Sequence, residues 1–229
     1  MVGRCGQARR PVLLTCLLAL QSLACGQDVH PVTGRQTAPV MGMGGAPWLV
    51  RPERAVEESP DEALAAIGIA KGATVADIGA GVGYFTWRLA ALVGPAGKVY
   101  AVDIQAAMLD QLRHNMAERK LTNYEAVLGA EDDPHLPAGR IDLALLVDVY
   151  HEFSQPQKML RTIRASLAPN GRMVLLEYRK EDPKVPILPA HKMSVAEVKA
   201  EIEPEGFRLE KTLENLPRQH ILIFRKNTM

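Results

Sequence analysis

The sequence has little cysteine, and all of it lies near one end. The three cysteines are Cys5, Cys16 and Cys25, so the rest of the chain can form neither an internal disulfide nor a zinc site built from cysteines. Basic charge is not in excess either, since 27 Lys and Arg face 26 Asp and Glu. A general nucleic-acid binder needs a basic surplus, so we expect no nucleic-acid partner.

Long apolar runs are also scarce. The stretch Val12–Leu20 is shorter than the roughly 20 residues of a membrane-spanning helix, so no such helix is predicted. Arg9 and Arg10 precede this stretch, and a small-x-small tripeptide ending at Ala24 follows it. This order is typical of a secretory signal, so we predict a signal peptide over residues 1–24.

Cleavage after Ala24 would leave Cys25 at the new N-terminus. This arrangement resembles that of a bacterial lipoprotein, whose terminal cysteine is acylated and holds the protein at a membrane. We therefore expect an exported, periplasmic, membrane-anchored lipoprotein. The alternatives are a soluble secreted protein and a cytoplasmic protein that lacks the segment because its true start lies downstream.

The rest of the chain divides into two parts. Residues 25–58 are rich in glycine and proline and show no helical or strand period, which predicts a linker or a lid. Residues 59–229 alternate strands and helices, which predicts one α/β domain with a mostly parallel sheet covered on both faces. The predicted strands are 74–78, 99–103, 124–128, 141–147, 172–178, 207–213 and 220–224, the last two forming a hairpin-like ending.

Three predicted helices carry clear signals. Ser59 precedes a proline and two acids, as an N-cap does, and residues 194–197 form a capping box. The helix 105–120 has an apolar stripe at helical spacing, which predicts a face buried in the core. The stripe consists of Met108, Leu109, Leu112 and Met116.

A glycine-rich loop follows the first predicted strand, at the sheet edge where parallel sheets bind their ligands. It runs from Asp77 through Gly79, Gly81 and Gly83. Glycines let the backbone turn sharply and approach a ligand, and the next helix offers free N–H groups. Asp103 ends the second strand, twenty residues after the last of these glycines, where an acid can bind a ribose diol.

Two cofactors compete for this geometry. The dinucleotide motif needs a glycine at its sixth position, where Tyr84 stands. Asp77, two residues before the first glycine, would repel a pyrophosphate, whereas it suits a cation such as a sulfonium that carries an α-amino group. The loop therefore favours a positively charged sulfur nucleoside over a nicotinamide dinucleotide.

The order of the motifs resembles that of the class I S-adenosylmethionine-dependent methyltransferases. Beyond the glycine loop and Asp103, the resemblance continues through residues 129–133, 141–148 and 167–172, and it covers about residues 60–225. It implies a Rossmann-like, seven-stranded, mostly parallel sheet with helices on both faces and an antiparallel last strand. It also implies S-adenosyl-L-methionine as the cofactor.

The resemblance assigns cofactor-binding roles to several residues. Asp77 and the backbone of the three loop glycines would hold the methionine part, and Asp103 the ribose hydroxyls. Ile104 would pack on the adenine face. Glu131 or Asp132 would meet the adenine amino group, since alanine stands where the family commonly has aspartate.

The segment after the fourth strand is the predicted catalytic segment. Methyl transfer is a direct displacement that needs its reacting atoms in line and, for a hydroxyl or amine, the removal of one proton. His151 is the predicted base, because its unperturbed pKa is about 6.5. The sequence His151-Glu152-Phe153 is similar to the base motif of plant-type small-molecule O-methyltransferases; the alternative is a structural histidine. Asp148 would contact the methionyl amine or the substrate.

The loop after the fifth strand, residues 178–191, is predicted to form a substrate wall. Tyr150, Tyr178 and Arg179 are the predicted substrate residues, with pairing to Glu181 as the alternative for the arginine. Trp48 belongs to a lid or anchors the linker, and no metal ligand is predicted.

The leading hypothesis is methyl transfer from S-adenosylmethionine to a small molecule, for instance at a hydroxyl. A protein acceptor remains open. The alternatives are a non-catalytic S-adenosylmethionine-binding module that serves as an interaction platform, and a nicotinamide-dependent oxidoreductase.

Overall fold

The computed structural model describes Met1 and residues 29–227. The predicted signal peptide and Cys25 fall outside the described residues. Strands of the described part are β1 Thr74–Ile78, β2 Lys98–Asp103, β3 Tyr124–Leu128, β4 Ile141–Val147, β5 Leu167–Arg179, β6 Lys192–Met193, β7 Phe207–Leu213 and β8 Gln219–Lys226. The α-helices there are α1 Ala46–Leu49, α2 Arg54–Glu58, α3 Pro60–Ile67, α4 Thr86–Val93, α5 Ala106–Glu118, α6 Pro156–Ser166 and α7 Val195–Ile202.

The strands form one mixed sheet in the order β3-β2-β1-β4-β5-β8-β7, and the short β6 pairs with β5 beside this path. The pairings from β3 to β5 are parallel. The last strand, β8, is antiparallel to both β5 and β7. The predicted α/β fold, with its hairpin ending and antiparallel last strand, is confirmed. The winding reverses between β1 and β4, which is where such sheets bind ligands.

The core lies on both faces of the sheet. Along β4, Ala144 and Leu146 belong to the apolar cluster that includes α6 and α7. Leu143 and Leu145 belong to the cluster that includes α3 and α4 on the other face. This alternation follows from the two-residue period of a strand, and it explains why nearly all of β4 is apolar. The predicted Met/Leu stripe of α5 is buried, as expected.

Both predicted helix starts are confirmed, at Pro60 and at Val195, but only the second has a side-chain cap. The Ser194 side chain accepts the Glu197 N–H, and the Glu197 carboxylate accepts the Ser194 N–H, as in a capping box. Ser59 makes no capping hydrogen bond, because it is the single residue between α2 and α3 and adopts a left-handed conformation with φ of 48°. An N-cap residue normally has extended backbone.

The segment before the predicted domain is held against it. The N–H of Ala38 donates to the carbonyl of His151 at 3.0 Å, and the Arg35 guanidinium binds the buried carboxylate of Glu201. Between residues 29 and 227, no helix is both long and apolar enough to cross a membrane.

Candidate active site

A cavity of about 550 Å³ opens at the carboxyl ends of the parallel strands. Its walls come from the loops that follow β1 to β5 and from residues 37–41 and 48–54 of the N-terminal segment. The predicted cofactor loop and the predicted catalytic segment therefore face one common space.

The glycine loop adopts backbone angles that favour glycine. Gly79 and Gly81 line the cavity, and both have positive φ angles, 73° and 52°. A Cβ atom on Gly79 would lie 2.4 Å from Cγ2 of Val149. Gly83 does not reach the cavity; it packs against Leu112 and Met116 of α5 instead. Two of the three loop glycines, Gly79 and Gly81, therefore lie in the cavity wall, and Gly83 does not.

Asp103 lies in the cavity wall and is fixed by the backbone. Its Oδ2 accepts the N–H of Gly81 and its Oδ1 accepts the N–H of Gln105, each at 2.9 Å. Burial raises the pKa of Asp103, although these backbone hydrogen bonds oppose the rise. Ile104 beside it is apolar, 40% exposed and part of the same wall. An oriented carboxylate next to an exposed apolar side chain suits a nucleoside, with its ribose diol and its flat base.

Asp77 lies behind the wall rather than in it. Its Oδ2 accepts a 2.6 Å hydrogen bond from the Thr86 hydroxyl at the start of α4. Burial raises the pKa of Asp77 to about 6, against the lowering effect of that hydrogen bond. Its contact with the methionine part of the cofactor remains a prediction.

The structure separates the two candidates for the adenine contact. Glu131 lines the cavity and accepts a 2.9 Å hydrogen bond from the Ser154 hydroxyl. Asp132 does not line it: its side chain is 41% exposed and lies 3.6 Å from the Lys158 ammonium. Of the two, Glu131 is therefore the side chain that can reach a ligand bound in the cavity.

Three side chains form a hydrogen-bonded chain on the opposite side of the cavity. The fully buried Glu177 accepts a 2.6 Å hydrogen bond from Nδ1 of His151 through Oε2, and the Tyr150 N–H through Oε1. Nε2 of His151 lies 3.1 Å from Nδ1 of His191. Both histidines line the cavity, and so does Glu152.

The protonation of this chain follows from its surroundings. Burial lowers the pKa of His151, but the charge and hydrogen bond of Glu177 outweigh it, so the pKa is raised. Burial, followed by the positive charge of His151, lowers the pKa of His191. Burial raises the pKa of Glu152 to about 7. A proton that enters the pair is therefore held on His151 rather than on His191.

Asp148 is the second predicted catalytic residue, and it lies in the wall in a left-handed conformation with φ of 50°. Both its carboxylate oxygens accept from Nε2 of Gln219, at 2.9 and 2.8 Å. Burial raises the pKa of Asp148 well above its usual range, and the nearby charges of Glu58 and Glu177 add to this. Arg54 lies 3.8 Å from Asp148, and its charge partly opposes this rise of the pKa.

Residues 69–217 match the family described as a methyltransferase domain, which is well over half of the chain. The chain belongs to this family. Its fold, its cavity-facing glycine loop and Asp103 agree with S-adenosylmethionine as the cofactor of the family.

This chain is similar to two kinds of known proteins. The ubiquinone/menaquinone biosynthesis C-methyltransferase UbiE of Hahella chejuensis is 32% identical over 114 residues, 49% of this chain and 46% of that protein. The chain thus spans about half the length of the curated relatives it matches. A SAM-dependent methyltransferase from Aquifex aeolicus has a TM-score of 0.77 and 26% identity, covering 81% of this chain and 98% of that one. A putative type 11 methyltransferase from Sulfolobus solfataricus shares the fold (TM-score 0.63, 20% identity, 76% and 95% covered).

Two of the predicted substrate residues, Tyr150 and Arg179, are wrong. The Tyr150 ring is fully buried in the core and its hydroxyl lies 3.3 Å from Nε2 of His30, because the short helix after β4 turns it inward. Arg179 binds the Glu214 carboxylate at 2.7 Å and carbonyl oxygens of residues 214–217, away from the cavity. Its expected partner Glu181 pairs with His220 instead.

The third predicted substrate residue, Tyr178, does line the cavity. Its hydroxyl donates to Oε1 of Glu58 at 2.8 Å, and Arg54 binds the other oxygen of that carboxylate at 2.6 Å. Burial raises the pKa of Tyr178, so the phenol stays neutral. Tyr178 thus serves as a wall residue whose polar atom already has a partner.

The N-terminal segment closes one side of the cavity. The amide of Gln105 donates to the carbonyl of Met41 at 2.9 Å, next to Asp103. Trp48 lines the cavity, and the Arg51 guanidinium lies 3.5 Å from its ring centroid. The segment therefore forms part of the wall, and its opening as a lid remains a prediction.

Proposed function

We propose that this protein transfers a methyl group from S-adenosylmethionine to a small-molecule acceptor held between the glycine loop and the histidine pair. The observation that carries the proposal is that Gly79, Gly81 and Asp103 line the same cavity as His151 and His191. Holding two reactants in line in one cavity removes a large part of the barrier to a direct displacement.

The cofactor half of the cavity is the half that follows β1, β2 and β3. The backbone of Gly79 and Gly81 would hold the methionine part, Asp103 the ribose hydroxyls, and Ile104 and Glu131 the adenine. When bound, S-adenosylmethionine supplies an electrophilic methyl group on a positively charged sulfur.

The other half selects the acceptor. The apolar parts of its walls come from the loop after β5 and from the N-terminal segment, with Pro186, Ile187 and Leu188 on one side and Trp48 on another; its polar side chains include His151, Glu152 and His191. Such walls suit an apolar, flat acceptor with one ionisable group. We infer a phenol- or enol-type acceptor, because loss of its hydroxyl proton makes nucleophilic either the oxygen or a carbon bonded to the oxygen-bearing carbon.

The histidine pair provides a route for that proton. With His151 neutral, its Nδ1–H donates to Glu177 and its Nε2 accepts from Nδ1–H of His191. Nε2 of His191 then takes the acceptor's proton, while Nδ1–H of His191 passes to His151. The proton comes to rest on His151 beside the Glu177 carboxylate, in keeping with the raised pKa of His151. His191 is thus the proposed base, and His151 and Glu177 orient it and receive its charge.

The test is a transfer assay with methyl-labelled S-adenosylmethionine and a panel of phenols and enols. Wild type should label an acceptor, and His191→Ala should lower kcat by about 10²–10⁴-fold while binding S-adenosylhomocysteine normally. The surface variant His114→Ala is the matched control. Tight cofactor binding without labelling of any acceptor would instead favour the non-catalytic binding module.

We also propose export and acylation of Cys25, supported by the residue order of the N-terminal segment alone. Mass spectrometry of the purified N-terminus tests this proposal. An unmodified Met1 in the native protein would refute it.

A further inference from the structure

We propose that His151, Glu152 and His191 form a binding site for one divalent metal ion of the zinc type. The site rests on their geometry, and only the ion's effect on the acceptor rests on the proposed function. The absence of cysteine beyond residue 25 excludes thiolate ligands there but leaves imidazole and carboxylate ligands available.

The first argument is distance. One ligand atom from each of the three side chains can be chosen so that all lie within 4.8 Å of one another. Nε2 of His151 and Nδ1 of His191 are 3.1 Å apart. Two nitrogens, each about 2.1 Å from one tetrahedral zinc ion, lie roughly 3.4 Å apart. To share an ion, the two rings would need to separate by a few tenths of an ångström and to turn so that both lone pairs point at the ion.

The second argument is the hydrogen bond that orients His151. Nδ1 of His151 donates to Glu177, which is itself fixed by the Tyr150 N–H. A carboxylate behind a histidine fixes the tautomer and aims the other ring nitrogen, and metal-binding histidines almost always have such a partner. Here Nε2 is aimed toward His191 and the cavity.

The third argument is charge. Glu152, Glu177, Asp148 and Glu58 cluster at this end of the cavity. Arg54 lies within 4 Å of the last two, and Arg51 lies 3.1 Å from Glu58, so four acids face two arginines. Buried acids in excess are costly unless a cation compensates them. A divalent ion beside Glu152 would supply the missing positive charge.

Two histidines and one glutamate leave a fourth position for an exchangeable ligand, as in catalytic rather than structural zinc sites. The position would face the cavity, which all three side chains line. A hydroxyl oxygen of the acceptor bound there would lose its proton more readily. An ion bound there would take the lone pairs that the proton chain uses, so in the ion-bound form the ion would promote loss of the acceptor's proton to solvent in place of His191.

The test is metal binding by the full chain, independent of activity. Protein stripped with a chelator is titrated with Zn²⁺ alone in a calorimeter, and with Co²⁺ while its visible absorption is recorded. Wild type and the His114→Ala control should each bind one ion more than His191→Ala, or bind it at least 10-fold more tightly. Glu152→Gln should also weaken zinc binding. If circular dichroism shows that His191→Ala is unfolded, Glu152→Gln replaces it in the comparison with wild type.

The proposal is overturned if wild type binds no Zn²⁺ more tightly than the site variant does. The three cysteines are present in every variant, so ions bound by them cancel in this comparison. A parallel titration with S-adenosylhomocysteine separates the two proposals. Cofactor binding without a zinc site refutes the metal site alone, whereas a zinc site without cofactor binding refutes the proposed function.

Discussion

Replacing Glu177 by Gln should destabilise the protein, and more so in acid than in base. Glu177 is fully buried and holds His151 at 2.6 Å through one oxygen and the Tyr150 N–H at 3.1 Å through the other. Glutamine keeps the size of the side chain but removes its charge. The substitution therefore measures how much the ion pair between Glu177 and His151 contributes to stability.

The sign follows from the pKa of His151, which is raised in the folded protein above its usual value of about 6.5. A raised pKa means that the stabilisation is fully present below pH 6.5 and is lost as the pH rises through the folded-state value. Without Glu177, burial is the largest remaining effect and lowers the pKa of His151. Removing Glu177 also relieves Asp148 and Glu152 of a like charge, which favours the variant at high pH.

The magnitude differs between the two pH values. At pH 5.5 the variant loses a buried ion pair, which costs about 3 kcal/mol of unfolding free energy. At pH 8.5 neutral His151 can carry its proton on Nε2 and accept from the glutamine amide, so the loss is about 1 kcal/mol or less.

Urea unfolding of both proteins at the two pH values, with a chelator present, measures this difference. Glu118→Gln is the matched control, since Glu118 lies 3.3 Å from His114 on the surface and should change stability by less than about 0.5 kcal/mol. The reasoning is refuted if the unfolding free energy of wild type exceeds that of Glu177→Gln by the same amount at both pH values, or by more at pH 8.5.

Three further predictions concern the cofactor half. Asp103→Asn loses a charge-assisted hydrogen bond of about 1.5–3 kcal/mol, so the dissociation constant of S-adenosylhomocysteine should rise roughly 10- to 100-fold by calorimetry; an unchanged constant would count against the ribose role. Gly79→Ala places a Cβ 2.4 Å from Val149 at a positive φ, and should lower the unfolding free energy by about 1–3 kcal/mol in urea titrations. Glu131→Gln should weaken S-adenosylhomocysteine binding while Asp132→Asn leaves it unchanged, and equal effects would contradict the placement of these two side chains.

The fold could be read from the sequence because its signals are local and consistent. Three local patterns each predicted one element, and all three elements are present. The almost wholly apolar run is the buried strand β4, the glycines form the loop after β1, and the capping box at Ser194 begins α7. The sequence around Ser59 predicted a side-chain cap that the structure lacks. The same sequence is also compatible with a tight turn between two helices, which is what Ser59 forms. Its backbone depends on α2, which the segment's composition does not predict.

The site was harder to predict, because its pairings cross long distances in the chain. Glu177, 26 residues from His151, was missed as its partner, although one acid in the apolar run of β5 is a signal that could have found it. Tyr150 and Arg179 were misplaced because adjacent residues leave a strand end in different directions. Whether a side chain faces the cavity or the core depends on the turn that follows the strand.

The most direct test of the central claim is calorimetric titration of the full chain with S-adenosylhomocysteine. The account predicts saturable binding of one molecule per chain, weakened by Asp103→Asn and unaffected by His114→Ala. A folded protein that releases no heat and shows no saturation with this compound would contradict it.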